Sequence, residues 1–120
     1  MLPLTLYCKS YSTDLRRLVR LAKSVEQFNT ENIPFYVSVP EADVPLFKEH
    51  LSGFNVQLLA DEEILRASPR IDSQKVMSLR GGLSQQIIKS EFWRMNASTS
   101  YLCLDSDAFF IRPFGQQDFL

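Results

Sequence analysis

The chain has 120 residues, 45% hydrophobic and 22% charged, a usage that excludes a disordered chain and suits one domain with a core. Thirteen Lys and Arg against fourteen Asp and Glu give a net charge of −1, which excludes the basic field that nucleic acid demands. The apolar stretches are short and broken by polar residues, so no transmembrane segment is expected.

A first strand is predicted at Leu4-Thr5-Leu6-Tyr7-Cys8, a mostly apolar run without clean alternation, as burial on both faces requires. Nothing ahead of it has the basic start, long apolar stretch and cleavage site of a secretory signal. Lys9-Ser10-Tyr11-Ser12 breaks the run, and Ser12 or Thr13 is expected to cap a helix by accepting a free backbone N–H. In that helix Leu15, Leu18, Val19, Ala22, Val25 and Phe28 recur at helical spacing and form the buried stripe. Arg16, Arg17, Arg20 and Lys23 fall largely opposite, on what reads as a solvated face.

The second strand is Phe35-Tyr36-Val37-Ser38-Val39, closed by Pro40. A helix over 43–51 follows, with Pro45 tolerable in its first turn and Gly53 ending it. The third strand, Val56-Gln57-Leu58-Leu59-Ala60, leads into Asp61-Glu62-Glu63, acidic residues that suit a helix N-terminus. Residues 66–79 read as a loop with short helical pieces, a kind of segment that often covers ligands. Gly81-Gly82 opens a helix over 84–96. A fourth strand, Tyr101-Leu102-Cys103-Leu104, ends at Asp105-Ser106-Asp107, and the apolar run 108–111 is stopped by Arg112-Pro113. This alternation predicts an α/β fold, a mostly parallel Rossmann-like sheet flanked by helices. Cys8 and Cys103, each inside an apolar strand, are expected to be buried free thiols, which points to the cytoplasm.

In open α/β sheets ligands collect beyond the carboxyl ends of the strands. That rule gathers Lys9-Ser10-Tyr11, the segment near Asp61 and Asp105-Ser106-Asp107 around one crevice. A D-x-D at a strand end projects two carboxylates toward the same opening. Mg²⁺ and Mn²⁺ favour oxygen ligands and often take one or two carboxylates, leaving phosphate and water to complete the shell. Two like charges side by side in a cleft are costly unless a cation offsets them. Asp105 and Asp107 are therefore the expected metal ligands, against the plainer reading of a solvated turn in a chain with seven Asp. On the helix before them, Ile88, Phe92 and Met95 form the core stripe. Gln85 and Lys89, four apart and flanked by Gln86 and Trp93, share a neighbouring face. Lys89 either meets a phosphate or sugar there or covers apolar surface with its stem.

These pieces together resemble the glycosyltransferases of the type-A nucleotide-diphospho-sugar transferase fold, in particular a little-characterised family of sugar transferases. The likeness covers essentially the whole chain. It rests on Lys9-Ser10-Tyr11 with Asp14, on Gln85-Gln86-Ile87-Ile88-Lys89, and on Tyr101 to Asp107 with Phe110-Ile111-Arg112-Pro113-Phe114. The resemblance implies a metal-dependent glycosyltransferase that takes its sugar from a nucleotide-diphospho-sugar donor, often a UDP-sugar, with Mn²⁺ or Mg²⁺ as cofactor. By that analogy Asp107 ligates the metal directly, while Asp105 supports the metal or the ribose. Lys9, Ser10 and Tyr11 would lie near the base or ribose, and Gln85, Gln86 and Lys89 would face the donor sugar or its phosphates. The metal would act as a Lewis acid toward the departing diphosphate.

Proteins of that fold normally continue past the D-x-D into an acceptor-binding part. Residues 1–120 are therefore expected to form a single nucleotide-sugar-binding domain cut short on its C-terminal side. The acceptor and the catalytic base are not legible. Phe109, Phe110, Phe114 and Phe119 are then expected to be exposed and to promote self-association. Two rivals are a non-catalytic nucleotide-binding remnant and a haloacid-dehalogenase-like phosphohydrolase. The latter also sets Asp-x-Asp after an apolar strand but carries Thr or Val where this chain has Phe109.

Overall fold

Leu4, Leu6 and Cys8 alternate with Thr5, Tyr7 and Lys9 along the first strand, and all six are buried. A strand with both faces covered needs a layer on each side, and the rest of the chain supplies them. In the computed structural model, residues 2–68, 71–79 and 82–120 are described. Strand β1 (Leu2–Lys9) leads to helix α1 (Leu15–Phe28), β2 (Phe35–Val39), α2 (Val44–His50) and β3 (Gln57–Ala60). Helices α3 (Asp61–Arg66), α4 (Ser73–Ser78) and α5 (Gly82–Glu91) follow before β4 (Ser98–Leu104). The strands lie in the order β3-β2-β1-β4 and every pair is parallel. This is the expected α/β architecture, a four-stranded parallel sheet flanked by helices.

One face of the sheet, with Leu4, Leu6, Cys8, Phe35, Val37 and Val39, packs on α1 and α2 through Leu18, Leu21, Val25 and Phe47. The other face, centred on Tyr7, packs on α3, α4, α5 and the turn after it through Ile64, Leu65, Val76, Ile88 and Phe92. The period-2 alternation of side chains thus sends Cys8 to one layer and its neighbours Tyr7 and Lys9 to the other. No described helix is long and apolar enough to cross a membrane.

Several expectations change. Neither Ser12 nor Thr13 caps α1: residues 12–14 form a 3-10 turn, and the Ser12 N–H donates to the Asp43 carboxylate at 2.9 Å. The segment 66–79 does hold a short helical piece, as expected: α4, whose Asp72 carboxylate accepts from the N–H groups of Gln74 and Lys75. Gly81 lies outside the described residues. The predicted helix over 84–96 is α5 plus a tighter turn at Phe92–Met95, stopped by Asn96 in the left-handed region at φ 53°. Both cysteines are free, but Cys103 is exposed, on a strand that is the sheet's edge among the described residues. Phe114 is buried. It stacks on Phe110 at 3.8 Å, and its N–H donates to the Phe28 carbonyl, so the expected patch of four bare rings shrinks to Phe109, Phe119 and their neighbours Ile111 and Leu120.

Candidate functional site

The sheet order reverses between β1 and β4, since the chain winds one way through β2 and β3 and then returns to the other side of β1. A crevice opens at the carboxyl end of such a switch point. Lys9 closes β1 there and Asp105 follows the last residue of β4. The Ala108 N–H donates to the Asp105 carbonyl at 3.0 Å, folding Asp-Ser-Asp-Ala into a tight turn. Ser106, the middle residue, is buried. Its hydroxyl donates to the Ser10 hydroxyl at 3.2 Å and lies 3.6 Å from the Cys8 thiol. Burial pushes that thiol up to about 12, with the Ser106 contact opposing. The turn is therefore pinned to the end of β1 through its serine, and the flanking Asp105 and Asp107 stay exposed.

Helix α1 braces the same turn. The Arg20 guanidinium donates to the Asp107 carbonyl at 3.0 Å and lies over the Phe109 ring at 4.6 Å, while the Ser24 hydroxyl accepts from the Phe110 N–H. The basic face of α1 is solvated, as its spacing suggests, yet two of its residues belong to the site: Arg20 through the turn, and Arg17 through the cavity beside it. Across the crevice, α5 is positioned by aromatic packing. Phe92 stacks on Tyr7 with ring centroids 4.0 Å apart, Tyr101 meets both rings edge-on, and the Tyr101 hydroxyl donates to the Lys89 carbonyl at 2.8 Å. This anchoring brings Gln85 and Lys89 to the cleft. Gln86, one position round the helix, is exposed and lines neither cavity described below.

Two cavities adjoin here. The first, about 230 Å³, is lined by Asp14 and Arg17 of the α1 entry, Gln85 and Lys89 of α5, the Asp105–Asp107 turn and Lys9. Its ion pairs are Arg17 with Asp14 at 2.8 Å and Lys89 with Asp105 at 3.5 Å. The second, about 260 Å³, shares Lys9 and Gln85 and adds Tyr11, Pro40, Asp61, Met77, Ser84 and Ile88. Lys9 lies 2.9 Å from Asp61 in a pair whose side chains are 3% and 0% exposed. The Lys9 ammonium is the partner of this buried carboxylate, and hydrogen bonds from Lys9 and Ser38 favour its charged form. Burial raises the Asp61 carboxyl above the usual range, and the Lys9 charge opposes it. Ser10 lines neither cavity. It holds the turn from below through Ser106.

The chain belongs to DUF6492, a family of unknown function, which it matches over residues 1–120. No curated protein matches the sequence. Among the described residues, no three His, Cys, Asp or Glu side chains come together as a ready-made metal cage. Two carboxylates at a cleft still fit a hard divalent cation that draws its remaining oxygens from phosphate and water. Among the described residues the Asp107 side chain has no ion pair or hydrogen bond, whereas Asp105 has a cation within reach. The sequence reading placed Asp61 only near the crevice. Its full burial, and its pairing with the lysine that ends β1, give this family member a polar group the strand pattern could not rank. One signal was available: an acidic residue directly after an apolar strand, like Asp105 itself.

Proposed function

We propose that this chain carries the donor- and metal-binding part of a metal-dependent glycosyltransferase acting on a nucleotide-diphospho-sugar. The observation that supports it best is a single cavity, at the switch point of a parallel sheet, lined by Asp105 and Asp107 together with Lys9, Gln85 and Lys89. Asp107, with Asp105, would hold Mn²⁺ or Mg²⁺, and the bound ion would neutralise charge on the diphosphate. Lys89 and Arg17 bring positive charge to the same cavity for the phosphates, and Gln85 offers an amide to the sugar. Tyr11 and Asp61 line the second cavity, where a base, a ribose or a sugar hydroxyl would be held. The cytoplasm is the compartment we infer for it, a reading with which two free thiols agree.

Calorimetric titration of UDP with and without Mn²⁺ tests the reading. Binding is expected to need the ion and to vanish with a chelator. Asp107→Asn keeps the shape and removes the charge, and should cost about 2–4 kcal/mol, roughly thirty- to thousand-fold in affinity. Asp105→Asn should cost less, and Asp72→Asn, at the cap of α4, little. Equal, metal-independent affinity for wild type and Asp107→Asn would sink the metal site and most of the transferase reading.

A further inference from the structure

Each cation lining the first cavity already has a carboxylate: Lys9 has Asp61, Arg17 has Asp14 and Lys89 has Asp105. These pairs are not equally fixed. Lys89 and Asp105 are 3.5 Å apart with side chains 22% and 75% exposed, so water screens them and their mutual hold is weak. The main chain of Lys89 is held by Tyr101, which leaves the flexible stem and ammonium as the part free to move.

A divalent cation held by Asp105 and Asp107 would meet this ammonium at the same carboxylate. Two cations cannot share Asp105 without repelling each other, so binding of one weakens the hold of the other. An ammonium driven off Asp105 still faces the cavity, where the anionic part of a nucleoside diphosphate offers a new partner. We infer that Lys89 is a resident counter-ion: Asp105 exchanges it for the divalent cation, and its released ammonium pairs with the phosphate of the ligand. The inference rests on the metal-site reading and adds a sign to it. Lys89 opposes the bare ion and favours the ion that arrives with a diphosphate. The cleft thereby selects the metal–nucleotide complex over free metal.

The test uses Lys89→Met, which keeps the stem without the charge, Lys89→Gln as a second neutral variant, and Lys89→Arg, which keeps the charge. Mn²⁺ binding is followed by the electron paramagnetic resonance of the free ion, and binding of preformed Mn–UDP by calorimetry. Unfolding midpoints establish that each variant is folded. Both neutral variants are expected to bind Mn²⁺ alone roughly two- to five-fold more tightly, the worth of an exposed ion pair. They should bind Mn–UDP about tenfold or more weakly, the worth of a charged phosphate contact. Lys89→Arg should stay near wild type in both. Opposite signs in one variant cannot come from a damaged fold. If wild type binds Mn²⁺ but the neutral variants bind it no more tightly, or bind Mn–UDP as well as wild type, the counter-ion role is overturned and the metal site stands. If wild type takes up no Mn²⁺ with or without UDP, both fall.

Discussion

Two lysine–aspartate pairs stand at the carboxyl edge of the same sheet, and burial separates them. Lys9 and Asp61 are 2.9 Å apart with side chains 3% and 0% exposed; Lys89 and Asp105 are 3.5 Å apart with side chains 22% and 75% exposed. The buried pair has lost its water, so each charge depends on the other. The exposed pair has kept its water, so each charge is replaceable. A binding cleft needs both kinds: walls that hold their shape while empty, and charges that change partners when a ligand enters. Lys9 lines both cavities, so the fixed pair stands at their junction, beside the pair proposed to exchange.

The largest effect is expected from breaking the buried pair. Asp61→Ala leaves the buried Lys9 ammonium without its counter-charge, with only the Ser10 carbonyl it donates to, and removal of one partner of a buried pair costs about 3–5 kcal/mol. Urea unfolding should show that loss. The double variant Lys9→Met with Asp61→Leu replaces both charges with apolar groups and should recover most of the stability while losing nucleotide binding. A cost below about 1 kcal/mol for Asp61→Ala would place this pair in the same class as the exposed one and remove the contrast.

The second effect is on protonation. Burial is the larger influence on Asp61 and raises its carboxyl, while Lys9 lowers it. A carboxyl whose folded value lies above the ordinary one, about 3.9, binds its proton more tightly in the folded chain. Its stabilising contribution is therefore fully present below the ordinary value and is lost as pH rises through the raised one, opposite in sign to a surface carboxylate in a salt bridge. Carbon NMR of the Asp61 carboxyl should give a midpoint above about 3.9, and Lys9→Met should move it further up. A wild-type midpoint below that value would mean that attraction outweighs burial.

The strands were legible along the chain, most clearly β1, because burial on both faces leaves an apolar run that few other structures tolerate, as at Leu4–Cys8. The strand-end rule then located Lys9, Tyr11, Asp105 and Asp107 without any contact information. Other features depend on contacts between distant segments. A helical repeat shows that Arg17 and Arg20 lie opposite the apolar stripe, but not that the chain returns 87 residues later to set Asp107 beside Arg20. Apolar neighbours gave Cys103 a core reading, because composition does not tell a central strand from an edge. Ser10 and Gln86 were placed by adjacency to good candidates. Strand alternation and helical rotation decide where such neighbours point, and they turn Ser10 toward Ser106 and Gln86 to the outside.

The smallest effect sharpens the comparison from the other end. Asp105→Asn removes the exposed ion pair and also relieves the repulsion between Asp105 and Asp107, two changes of opposite sign. Exposed pairs contribute about 0–1 kcal/mol, so unfolding free energy should shift by less than about 1 kcal/mol in either direction. Salt should expose the same weakness. The screening length falls to about 3 Å at 1 M, so wild type and variant should converge as sodium chloride is added, while the loss in Asp61→Ala persists. Both measurements come from one set of urea curves at two salt concentrations. A loss near 3 kcal/mol for Asp105→Asn, unchanged by salt, would show that Lys89 and Asp105 hold the fold together, and a pair that does so is not free to exchange partners.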